Sequence, residues 1–84
     1  MELKDTIEMM QSEDFKERFK AEYWQTKIRY NKLHKMVVKM EAGTLNFEPK
    51  CPMSLFQRQL GVMREYLNVL EMRAEIEEID LEVK

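Results

Sequence analysis

Two rows of residues, offset by one position, run through the last third of this chain. Phe56, Leu60, Met63, Leu67, Leu70 and Ala74 follow one another at alternating steps of four and three, a heptad seam. One position back, Leu55, Gln59, Val62, Tyr66, Val69, Arg73 and Ile76 repeat the same steps. An α-helix gathers residues of this period onto common faces, so the segment is predicted to be a helix with two faces to satisfy. The first seam is wholly apolar and is expected to pack on another helix of the same chain. The second is amphipathic, which does not suit a surface facing plain solvent, and is expected to meet a second chain. Gly61 costs roughly 1 kcal/mol in mid-helix and fits best where another backbone or a ligand comes close.

The partner for the first seam lies upstream. Phe19, Tyr23, Thr26, Tyr30, Leu33, Val37 and Met40 carry the same alternation over nearly three heptads, with Trp24 and Ile28 beside them. Gly43 reads as a C-terminal cap, and GTLNFEPKCP is the one marked break. Pro52 suits the first turn of a new helix, while Leu45 and Phe47 are expected to fold back over the open end of the hairpin. Leu3, Ile7 and Met10 have helical spacing, and Ser12 followed by Glu13 and Asp14 resembles an N-cap. The expected fold is therefore all-α: one domain, 1–84, with a short helix at 1–11, a long helix at 13–42, a loop at 43–51 and a second long helix at 52–80.

A chain of 84 residues gains little from a single core and is usually reinforced. Cys51 is the only cysteine, so no internal disulfide exists. His34 and Cys51 form no spaced ligand cluster, so neither a metal nor a cofactor is expected. Assembly into a homo-oligomer is the remaining route. Cys51 has no cationic neighbour to activate it, and a buried or capping role is expected. No apolar run approaches the ~20 residues of a membrane span, and no signal-like N-terminus is present, so a cytoplasmic location is expected.

The net charge of −2 conceals an asymmetry. Between Lys16 and Lys39 eight basic residues face two acidic ones, whereas Glu75 to Glu82 is acidic without a base until Lys84. Solvated faces account for most such charges; an anionic ligand for the basic segment is the alternative. The lone histidine, the lack of a Ser–His–Asp set and the lack of a glycine-rich phosphate loop argue against an enzyme. The acidic tail argues against a general DNA or RNA binder. Binding offers more material, because arginine forks onto phosphate and aromatic rings stack on bases. Arg18, Lys20, Tyr23 and Lys27 fall within about two turns of the first long helix, and Gln59, Tyr66 and Arg73 recur along the second seam. Each also has a structural reading. Arg18 and Glu22 form an i,i+4 pair, the tyrosines suit an interface, and Gln59 and Arg73 suit register-setting positions. A helical module that grips a host protein is the competing function.

The joint pattern resembles a known group. FKERFKAEYWQTKIRYNKLHKMV, the lone aromatic of NFEP and LFQRQLGVMREYLNVLEMR are similar to small bacteriophage helical-hairpin proteins. The carrying positions are Arg18 and Glu22, Lys32 and Leu33, then Leu55, Gln59, Leu60, Met63, Tyr66, Leu70 and Arg73, within residues 14–76. These proteins are the sponges that inhibit CBASS immunity and the hairpin domain of a Thoeris inhibitor. The resemblance implies a helical homo-oligomer, often a hexamer, in the host cytoplasm. It would capture cyclic oligonucleotide second messengers or cyclic ADP-ribose isomers without cleaving them. It also implies a ligand lysine at Lys20. The sponges place a tyrosine upstream of that lysine, where this chain offers only Phe15, and the extra domain of the Thoeris inhibitor has no counterpart here.

Overall fold

The computed structural model describes residues 1–82, and all of its regular elements are helical. A 3-10 turn at Leu3–Thr6 runs into a single α-helical turn, α1, at Ile7–Met10. Two long helices follow, α2 at Phe15–Ala42 and α3 at Met53–Ile76. They form an antiparallel hairpin that gives the molecule its rod shape, 43 × 24 × 20 Å.

The heptad reading identifies the inner faces. Leu60, Leu67, Leu70 and Ala74 of α3 are buried, as are Phe19, Tyr23 and Val37 of α2, while Phe56, Met63, Tyr30, Leu33 and Met40 are half-buried at the margins. The main cluster, Phe19, Tyr23, Leu67, Leu70, Ala74 and Ile79, lies toward the open end of the hairpin, away from the loop. Every apolar member of the second seam, from Leu55 through Val62 and Val69 to Ile76, is exposed.

Several ends differ from expectation. The cap of α2 is Asp14, whose carboxylate accepts from the Lys16 backbone N–H at 3.0 Å; Ser12 instead accepts from the Asp14 N–H at 3.1 Å. Helix α2 therefore begins two residues later than 13. Gly43 caps the other end as expected, with φ of 75°, and Thr44 donates back to the Lys39 carbonyl at 2.9 Å. Pro52 stands one position before α3, as its N-cap, with its carbonyl accepting from the Leu55 N–H at 3.1 Å. In the loop Leu45 turns inward, but Phe47 is 55% exposed and Cys51 is exposed rather than buried or capping.

At the N-terminus the inward residues are Leu3, Thr6 and Met9, while Ile7 and Met10 are exposed. The 3-10 geometry explains the change, because it stacks residues three apart. Thr6 is fully buried at 0% exposure; its hydroxyl donates to the Leu3 carbonyl at 2.7 Å and accepts from Gln25 Nε2 at 2.9 Å. This segment covers a second face of α2, where Ala21 and Ile28 are buried on either side of Gln25.

Helix α3 ends at Ile76, four residues before the expected boundary of 80. Glu78 adopts φ of 56°, and the Ile79 N–H closes on the Ala74 carbonyl at 2.8 Å. The chain then doubles back as a strap. Ile79 is buried, Leu81 packs beside it, and Trp24 Nε1 donates to the Leu81 carbonyl at 2.7 Å. Burial of Ile79 and Leu81 outweighs helix continuation, and the acidic segment is thus partly core.

Candidate functional site

The crossing of α2 over α3 leaves a groove along one edge of the hairpin. Lys27, Tyr30, Arg64, Glu65, Leu67, Asn68 and Glu71 line its upper part, a hollow of about 490 Å³ that holds two cations and two carboxylates. A second hollow of about 250 Å³ continues toward the loop past His34, Val37, Gln57 and Gly61, and Arg64 borders both. On α2 the steps from Tyr23 through Lys27 and Tyr30 to His34 are helical neighbours, and on α3 so are Arg64, Asn68 and Glu71.

Arg64 is the charge here with the most side-chain contacts to its neighbours. Its Nε and Nη2 both donate to the Tyr30 hydroxyl, at 3.1 and 2.9 Å, and its guanidinium carbon lies 5.8 Å from that ring's centre. His34 stacks on Tyr30 with centroids 5.9 Å apart and planes 9° from parallel. One phenol therefore holds both the guanidinium and the imidazole. Among the described residues neither Lys27 nor Arg64 has a carboxylate within the 4.0 Å of an ion pair. Deeper in, the buried Tyr23 donates to Glu71 across 3.5 Å and meets Trp24 edge-on at 5.3 Å. Burial, then the negative charge of Glu71, hold the Tyr23 phenol above its ordinary pKa of 10.0.

The sequence-predicted residues divide among three places. Lys27 lines the groove, Tyr23 is buried beneath it against the lining Glu71, and Lys20 lies half-buried one turn before Tyr23 on α2. Tyr66 and Arg73 lie elsewhere, about 140–160° around α3 from Glu71 at 100° per residue. The Tyr66 hydroxyl bonds Glu22, and this bond, ahead of burial and the Glu22 charge, raises the Tyr66 pKa against the opposing pull of Arg73. Arg73 spreads over the Phe19 ring at 4.9 Å and pairs with Glu77 at 3.2 Å. Gln59 is exposed on that outward side of α3. Arg18 closes the turn before α2, donating to the Ser12 carbonyl at 2.8 Å. Glu22 engages Tyr66 and not Arg18.

Sequence reasoning passed over Tyr30, His34, Arg64, Asn68 and Glu71 as groove residues. Their signal was available as polar positions in and beside the inner seams, Tyr30 with His34 and Arg64 with Asn68 and Glu71. What it lacked was the crossing that sets one row against the other. Among the described residues no three of His, Cys, Asp or Glu gather as a metal site requires. The arrangement can hold an anion by Lys27 and the pre-positioned Arg64, meet a planar ring beside the Tyr30–His34 stack, and read polar edges with Asn68 and Glu71.

No helix among the described residues is long and apolar enough to cross a membrane. Comparison with curated proteins and with solved structures finds no match. A protein-family model, Sequestin, matches residues 13–76, the whole hairpin without the N-terminal segment and the strap. That match takes in most of the chain, which belongs to the Sequestin family.

Proposed function

We propose that this protein is a phage anti-defence sponge. It would bind and sequester a cyclic oligonucleotide or cyclic ADP-ribose-type immune signal in the host cytoplasm, without cleaving it, and so block CBASS or Thoeris immunity. The observation that carries this reading is the groove, where two cations that make no ion pair among the described residues flank a stacked tyrosine–histidine pair. Phosphate linkages suit Lys27 and Arg64, and a base suits the ring pair. The family name is compatible with sequestration of a ligand, and the resemblance to phage sponges supplies the class of signal. Self-association into a homo-oligomer, of the hexameric kind known in those sponges, belongs to the same reading.

Sequestration requires tight, stoichiometric binding, with Kd below the concentration of the signal. Calorimetry of ligand-free protein against cyclic di- and trinucleotides and cyclic ADP-ribose isomers is the test. Heat with one class, and recovery of that molecule intact after denaturation, is the expected outcome. Lys27→Ala and Arg64→Ala should each weaken binding by about tenfold or more, the worth of a charge-assisted contact. Arg18→Ala should leave it unchanged, since Arg18 serves the turn. Absence of heat across the whole panel, or release of a cleaved product, overturns the reading.

A further inference from the structure

The groove leaves one surface of the molecule unexplained. Leu55, Val62, Val69 and Ile76 recur every seven residues along the outer side of α3, and they are 48%, 61%, 46% and 81% exposed. A continuous apolar spine on a helix that already packs through its other face is the pattern of an interhelical seam. Among the described residues nothing packs over these four side chains.

The charge distribution says what does. The Tyr30–Arg64 contact lies close to the middle of the rod, since α2 runs from Phe15 to Ala42. The loop half, residues 29–64, carries seven basic side chains less two acidic, a net of +5. The open half, residues 1–28 and 65–82, carries fourteen acidic less six basic, a net of −8. The molecule is therefore strongly polarised along its 43 Å axis. Two such rods side by side attract when they run in opposite directions and repel when they run together.

We propose that the outer face of α3 is the contact between two copies of this chain, and that the copies run antiparallel. The proposal rests on the self-association named above and adds its surface and its direction. Leu55 and Ile76 lie equally far from the midpoint beside Tyr66. An antiparallel pair centred there sets Leu55 level with Ile76, and Val62 level with Val69, in both directions. That self-complementarity is what a two-fold contact demands. The basic loop end of each copy then lies against the acidic strap end of the other.

Cys51, the only cysteine and exposed at the loop end, makes the direction measurable. A nitroxide on Cys51 reports the distance between labels by pulsed electron resonance. With about 1.5 Å per residue on each side of the centre, the antiparallel pair predicts a shortest separation on the order of 40 Å. A parallel pair predicts less than about half that, and such a short distance overturns the proposal. Native mass spectrometry of Val62→Glu and Val69→Glu gives the second readout. Both positions are exposed, so circular dichroism should stay unchanged while the assembled mass falls. Unchanged assembly in both variants, or a monomeric parent protein, refutes the assigned face. Ligand calorimetry is blind to label distance, so failure here and failure of the sponge reading remain distinguishable.

Discussion

At the scale of single residues, two side chains carry costs that substitution should reveal. Glu78 occupies the left-handed region at φ of 56° so that Ile79 can turn inward. A side chain there costs roughly 1 kcal/mol relative to glycine. Glu78→Gly is expected to raise stability by about 0.5–1 kcal/mol in urea unfolding. Tyr23 supplies a pH dependence. Its folded pKa lies above 10.0 through burial and the neighbouring Glu71. A raised pKa means the folded state holds its proton more tightly than the unfolded chain. The resulting stability is complete below pH 10 and is lost as pH climbs through the higher folded value. Unfolding measured between pH 9 and 12 should show this loss, and Tyr23→Phe should make it smaller. Residue-level chemistry was the least legible part of the sequence. Arg18 and Glu22 read as a local pair, yet Arg18 bonds the Ser12 carbonyl and Glu22 bonds Tyr66, because the turn before α2 and the crossing with α3 offer better partners.

Elements were legible wherever period alone decides them. The four-three spacing located both long helices and their inner faces, and Gly43 located the end of α2. The boundary at Ile76 was not legible, because Glu77 and Glu78 are good helix residues. Only the core vacancy that Ile79 fills ends the helix there, and that vacancy is a tertiary fact. Ile79→Ala is accordingly expected to cost about 2–4 kcal/mol, as truncation of a buried aliphatic residue does, read from the shift of the denaturation midpoint. Gly61 bears on α3 itself. A Cβ added there meets nothing within 4 Å, so no close approach within the chain requires glycine. Gly61→Ala should stabilise α3 by up to about 1 kcal/mol in thermal unfolding of the ligand-free protein. If the groove's occupant uses the space beside Gly61, the same substitution weakens capture by calorimetry while it strengthens the fold.

For the whole molecule, the hairpin and the outward seam could be argued from sequence, whereas the groove could not. Tyr30 is 34 positions from Arg64, with Lys27 and His34 similarly far from Asn68 and Glu71, and only the antiparallel register sets them face to face. The same register turns an unremarkable net charge into a polarised rod. Screening shortens the reach of such charges to about 10 Å at 0.1 M salt. Assembly mass should therefore decline between 0.05 and 0.5 M sodium chloride at fixed protein concentration, as sedimentation velocity would record. The apolar spine should keep that decline partial.

The indole N–H held by the Leu81 carbonyl has an optical consequence. Trp24 is the chain's single tryptophan, so every photon emitted on 295 nm excitation reports from beneath the strap. Release of residues 79–82 would uncover that indole to water and move its emission to the red before the helices themselves melt. The protein thus carries its own gauge of whether the strap at residues 79–82 is docked.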